Sequence, residues 1–369
     1  MRKKGLLLLI LSVFLLIFPA CTKQSSDPPV STGEKETAVS SVTKETTKEA
    51  ESSQADSEKI KDLEGLNKGQ KESLPTKKTE GKKTFSLRVS QNYGAGTLAK
   101  EEVLLKPKMS VMDGLDRVCA DQVETAYGGS YVKGIGNLRS EAGGIGKPKQ
   151  DWFFFVNGIF ADQGALDYFP QPGEKVWWDY HPWQMFQATT AVIGCYPEPF
   201  LHGYRGKTKA TVILYSSEEK ELALQLESAL KAVGVPKVTL AEITNELLAE
   251  REGPTLVVGK WQELQENVYL ADLNQAFQKN GTFVHFTENS LELLDYTGKT
   301  ARELTAGVGI ISASGESAGD DSPLWLISGL DNEGLQNAVK LLVEWPAQIS
   351  GFFSAAVLAA EVIRLPVMP

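Results

Sequence analysis

The stretch Trp152-Phe153-Phe154-Phe155-Val156-Asn157-Gly158 decides how the middle of this chain folds. Five large apolar residues in a row read as a strong strand, and Asn-Gly closes it as a hairpin turn, since both residues tolerate positive φ. Downstream, the turn Gln171-Pro172-Gly173 leads into a second aromatic strand, Lys175-Val176-Trp177-Trp178-Asp179-Tyr180. Upstream, Phe85 to Ser90 alternates as a half-buried strand does. Gly94-Ala95-Gly96 turns the chain, and Glu102 to Leu105 returns it. Ser110 with Asp113 three residues on caps a helix whose apolar face is Val111, Leu115 and Val118. Tyr131 to Ile135 is a short strand between glycines, and residues 143–148 form a loop. Two strands, one helix and further strands predict an α+β unit over residues 84–204, a sheet wrapped round one helix in the manner of a β-grasp.

Side chains alternate across a strand, so Trp152 and Phe154 face one way and Phe153 and Phe155 the other, while Trp177 and Trp178 diverge. One face fills a core. The other leaves large rings that are either covered by another part of the chain or used as a ligand surface.

A second unit, residues 205–369, reads as a small α/β layered domain with a mostly parallel sheet. Ala210 to Tyr215 is a strand, and Ser216 with Glu219 predicts a capping box for a helix with the stripe Leu222, Leu226, Ala229, Leu230 and Val233, ended by Gly234. Further strands are expected at 255–258, 282–286, 308–311 and 324–327, and a helix after Asp331 carries Leu335, Ala338, Val339 and Leu342.

The first residues have the three parts of an export signal: Arg2-Lys3-Lys4, an apolar run from Leu6 to Phe18, and a small residue, Ala20, before Cys21. This resembles the lipobox of bacterial lipoproteins, which implies a signal peptide over 1–20, a diacylglycerol on Cys21 and an extracytoplasmic, lipid-anchored protein at the cell membrane. Plain secretion with an incidental Cys21 is the alternative. No aromatic residue occurs between Phe18 and Phe85, and Ser, Thr, Glu and Lys dominate. Residues 21–83 are therefore expected to be a disordered tether, reaching roughly 40–50 Å as a random coil.

The tether carries as many acidic as basic residues, which leaves the net charge of Thr84 to Pro369 at −12. An acidic folded part is a poor partner for phosphate backbones, so nucleic-acid binding is set aside. Export permits a disulfide between Cys119 and Cys195, but Cys119 lies in the expected helix beside Val118 and Leu115, so a buried free thiol there is equally natural. With His181, His202 and His285 these two cysteines make no metal-ligand spacing. Gly206-Lys207-Thr208 and Gly298-Lys299-Thr300 look like P-loop tails, but Leu201 and Leu293 stand where the first glycine belongs. Ser312 to Ser317 lacks the spacing of a nucleophile elbow, and Asp320-Asp321 reads as a solvated turn. No catalyst is expected.

Several spaced motifs carry a resemblance: Val111-Met112-Asp113-Gly114-Leu115, the aromatic strand ending Val156-Asn157-Gly158, Gly164-Ala165, Tyr168, Pro172-Gly173-Glu174, and Val176-Trp177-Trp178-Asp179-Tyr180-His181. Over about Phe85 to Trp183 the chain resembles the transcobalamin-like C-terminal domain family, also counted among bacterial domains of unknown function (DUF4430). It departs at Glu174, where the family usually has Asp. In vitamin carriers of that family the module is one half of a corrinoid clamp, and a separate helical domain, not found in this sequence, supplies the other. The resemblance implies a surface binding protein that captures a corrinoid (cobalamin) or similar cofactor for a membrane importer, plausibly of the energy-coupling factor type. The alternative is a surface interaction or adhesion module with no small ligand. For a flat macrocycle the expected contacts are Trp152, Asn157, Tyr168 and Trp178, by stacking and by turn amides. His181 is the expected cobalt ligand, oriented by Asp179 two residues back on the same strand face. The plainer reading has Pro182 end the strand and His181 pack on Trp183.

Overall fold

The aromatic strands of the middle region lie side by side in a five-stranded sheet. The structure, a computed structural model, describes residues 83–144, 147–184 and 189–368. The export signal, Cys21 and almost all of the tether expected from the sequence lie outside these residues. The architecture is mixed α/β, rich in strands, with several sheets and few helices.

In the first lobe β1 (Thr84–Gln91) and β2 (Gly96–Leu104) form a hairpin, and α1 (Val111–Cys119) follows with both hydrogen bonds of the Ser110–Asp113 capping box. A small three-stranded sheet comes next: β3 (Val123–Ala126), β4 (Tyr131–Ile135) and β5 (Leu138–Arg139). Then come β6 (Lys149–Val156), β7 (Ile159–Phe160) and β8 (Lys175–Trp183). The main sheet runs β2-β1-β8-β6-β7, with β1 parallel to β8 and the other pairs antiparallel. Asn157 and Gly158 both have positive φ, which is why the Asn-Gly pair makes the tight β6–β7 turn. Pro182 does not end β8. The strand continues to Trp183, which pairs with Lys149. The proline is tolerated because the β1 pairing stops at Tyr180, so β8 has a neighbour on one side only at that point.

The second lobe contains β9 (Thr211–Tyr215), α2 (Lys220–Ala232), β10 (Val238–Glu242), α3 (Asn245–Ala249), β11 (Thr255–Lys260), α4 (Trp261–Leu264) and α5 (Val268–Gln275). It continues with β12 (Val284–Phe286), β13 (Leu291–Leu294), β14 (Thr300–Leu304), β15 (Gly309–Ser314), β16 (Leu324–Gly329), α6 (Asn332–Glu344), β17 (Ser354–Val357) and β18 (Val362–Leu365). Its sheet has seven strands in the order β10-β9-β11-β16-β15-β17-β18.

Three expectations are corrected here. The sheet is mixed: β10, β9, β11 and β16 are parallel, but β15, β17 and β18 join antiparallel. The connection from β15 to β16 is too short for a crossover, so the chain must return antiparallel. Residues 284–286 pair not in this sheet but in the separate sheet β12-β13-β14. Ser216 does not cap α2 either. A backbone turn from Glu219 N–H to the Ser216 carbonyl comes first, and the Ser216 hydroxyl is buried without a partner.

The core has three parts. Phe85, Leu87, Val89, Leu115, Trp152, Phe154, Val156, Val176 and Trp178 pack between the five-stranded sheet and α1. Ile213, Val258, Trp325, Leu335 and Val339 pack under α2 and α6. The third cluster joins Phe155, Trp177 and Tyr93 of the first lobe to Phe283, Phe286 and Phe353 of the second. The described residues thus lie within one compact unit, and the second aromatic face is largely covered by the chain itself. Cys119 and Cys195 are free, each in a different core cluster.

Candidate functional site

On the face of β8 away from α1, Trp177, Asp179 and His181 follow one another at every second position, beside Phe155, Phe153 and Asp151 of β6. Asp179 is fully buried. Burial of a carboxylate is costly unless donors surround it, and here four do. Tyr93 N–H (2.9 Å) and His181 Nδ1 (2.8 Å) reach Oδ1, while Gly94 N–H (2.8 Å) and Ser90 Oγ (2.5 Å) reach Oδ2. Ser90 Oγ in turn accepts from Trp177 Nε1 at 2.7 Å. The β1–β2 turn is thereby tied to β8 through a single carboxylate. Tyr93, at positive φ in that turn, donates its hydroxyl to the Pro182 carbonyl at 2.5 Å. Burial, then Asp179, holds the Tyr93 pKa well above its ordinary value.

His181 is sandwiched. Tyr93 stacks on one face with centroids 4.3 Å apart, and Phe153 on the other at 4.5 Å. Phe353 meets the ring edge-on at 5.3 Å. Beside this stack lies a cavity of about 180 Å³. Tyr93, Phe153, Phe155, Phe160 and Trp183 line it, together with His181 and Thr189. Trp183 is held by a hydrogen bond from Nε1 to Asp151 Oδ2 (2.9 Å), and Asp151 also accepts from the Tyr131 hydroxyl (2.6 Å).

The residues singled out from the sequence do not converge on this cavity; His181 alone among them lines it. Trp152 and Trp178 face α1, where Trp152 Nε1 donates to the Leu138 carbonyl and Trp178 stacks on Phe154. Asn157 is fully buried and ties two backbones: its Nδ2 donates to Gly203 O (2.7 Å), and its Oδ1 accepts from Lys175 N–H (2.8 Å). Tyr168 donates to the buried Glu174 carboxylate (3.2 Å) and accepts from Arg205 N–H (3.2 Å). Burial raises the Glu174 pKa. Tyr93, Phe160 and Thr189 were not singled out. The signal for Tyr93 was weak: a lone aromatic before Gly94 reads as a turn residue.

Residues 109–182 match a family described as a domain of unknown function (DUF4430). No curated protein matches the chain. The matched segment includes α1, β6 and most of β8, and so Phe153, Asp179 and His181, but ends before Trp183 and begins after Tyr93.

A second cavity of similar size lies in the α/β lobe, at the carboxyl ends of β9 and β11, where the chain connections diverge to either side. Lys260 stands there against Glu218 (2.8 Å), Glu263 (2.7 Å) and Glu219 (3.7 Å). The hydrogen bonds to Glu218 and Glu263 raise its pKa. The ammonium already occupies the centre of the carboxylate cluster, so the arrangement is an ion-pair network of the fold.

Proposed function

We propose that this chain is a lipid-anchored, extracytoplasmic binding protein without catalytic activity, which captures a small ligand at the His181 cavity and passes it to a membrane importer. The observation that carries this is a buried imidazole, oriented by a buried carboxylate, beside a cavity walled by five aromatic rings. Such a concave, mostly apolar space with few polar groups is the usual form of a small-molecule site. The strand order around a single helix supports reading the first lobe as a β-grasp of transcobalamin-like type. A corrinoid is therefore the first ligand to test, and an importer of the energy-coupling factor type the first partner. Drug-sized pockets run to roughly 300–1,000 Å³. A cavity of about 180 Å³ is below that range, so in this reading it receives one projecting group of such a ligand.

One observation favours the alternative, a surface interaction module: Tyr127 is 86% exposed, 6.3 Å from the half-exposed ring of Tyr131. Calorimetric titration of the mature chain with cobalamin and cobinamide, with tryptophan fluorescence as a second readout, separates the two. Saturable heat with quenching is expected, since Trp183 lines the cavity. No binding at high micromolar ligand would remove the corrinoid reading.

A further inference from the structure

The arrangement around Asp179 fixes where the His181 proton sits, and with it the chemistry the cavity accepts. Backbone N–H groups only donate, so Tyr93 N and Gly94 N make Asp179 an acceptor on both oxygens. The Ser90 hydroxyl already accepts from Trp177 Nε1, and its own proton goes to Asp179. The carboxylate therefore accepts from His181 as well, and Nδ1 carries the hydrogen. In the neutral imidazole Nε2 is then a bare acceptor. Both ring faces are covered, and the residue is only 4% exposed. Among the described residues no protein donor reaches Nε2. With Nδ1 engaged by Asp179, Nε2 is the polar atom left to the ring, and His181 lines the cavity.

From this we propose that the cavity selects a neutral group of one-ring size that bears a single N–H or O–H donor, which it presents to His181 Nε2. The inference rests on the reading that this cavity is the ligand site. Size sets the first limit: a cavity of about 150 Å³ holds benzene, and this one measures about 180 Å³. Charge sets the second. An anionic group would face the Nε2 lone pair, with no cationic side chain among the described lining residues. A primary ammonium gains attraction from the rings, but it brings three donors to one imidazole nitrogen and one threonine, so at least one donor stays unpaired and its charge loses its hydration in an apolar space. A neutral donor satisfies Nε2, and the flat body stacks between rings.

The test titrates the full chain with phenol, toluene and benzoate by calorimetry. Phenol is expected to bind about tenfold or more tightly than toluene, the difference that one buried acceptor left unpaired makes, and benzoate is not expected to bind. In His181→Phe the preference for phenol over toluene disappears. Should that variant fail to fold, nitrogen NMR of the wild-type imidazole gives the same information. Phenol shifts the Nε2 resonance and toluene does not. Equal affinity for phenol and toluene would overturn the donor requirement. Binding of neither would overturn the cavity as a ligand site. If cobalamin still bound in that case, capture would occur elsewhere on the protein, so the two proposals fail separately.

Discussion

Each of the three histidines stands against a carboxylate: His181 on Asp179, His202 on Glu198 and His285 on Glu292. The Asp179–His181 pair was legible, because residues two apart on a strand share a face. That Asp179 would also hold Ser90, Tyr93 and Gly94 was not, since those donors arrive from the end of β1 and its turn, almost ninety positions earlier. His202 gives a pH prediction. Its hydrogen bond to Glu198 raises its pKa above 6.5, outweighing the opposing effect of burial. The folded state therefore binds the proton more tightly than the unfolded chain. The stability contributed by the pair is complete below a pH of about 6.5 and is lost as pH rises through the folded value. Urea unfolding of wild type and His202→Gln should show a midpoint gap at about pH 5.5 that narrows as pH rises. A gap that does not change with pH would mean that packing against Gly173, not protonation, gives His202 its effect.

Helix α6 shows what an element needs beyond its own periodicity. The buried positions Leu335, Ala338, Val339 and Leu342 are the ones its sequence stripe marked. Its docking depends on two glycines that no stripe reveals. A Cβ on Gly334 would collide with the Val308 carbonyl, and one on Gly309 with the Gly334 carbonyl. Helix and strand approach backbone to backbone there, and Asp331 holds the contact by accepting from Gly334 N–H (2.8 Å) and Gly307 N–H (2.7 Å). Gly334→Ala should cost about 1–3 kcal/mol, the usual penalty for forcing extra volume into a packed contact. Ala is the better helix former, so propensity alone predicts the opposite sign. A denaturation midpoint at or above that of wild type would refute the close-approach argument.

At the scale of the whole molecule, the two lobes complete each other. Phe353 of the second lobe meets Phe155, Trp177, Tyr93 and His181 of the first within 5.0–5.5 Å. The segment before residue 205 belongs to both, because Val192 and Cys195 pack in the shared cluster while Ile193 and Phe200 pack under α2 and α6. Each large apolar side chain removed from water contributes about 1.5–3 kcal/mol, so the shared face is a substantial part of the stability of either lobe. The full chain is expected to unfold in one transition. A fragment ending at Tyr204 should bind a hydrophobic dye and lose the near-ultraviolet circular dichroism of its tryptophans. A fragment that kept that signal and melted cooperatively would show that the first lobe needs no cover.

The sequence by itself determined the local elements: the aromatic strands, the Asn157-Gly158 turn, the Ser110 cap and the α6 stripe. Each of these is set by residues close in the chain, through alternation, turn chemistry and capping. It also posed the question of the second aromatic face without answering it. Only the tertiary structure decided that Phe283 and Phe353 cover most of that face and that a ring-sized space remains beside His181. It also decided that Trp152, Asn157, Tyr168 and Trp178 are held inside the fold. The physical reason is that burial and cavities arise where surfaces distant in sequence meet, and no local pattern records which surface that will be.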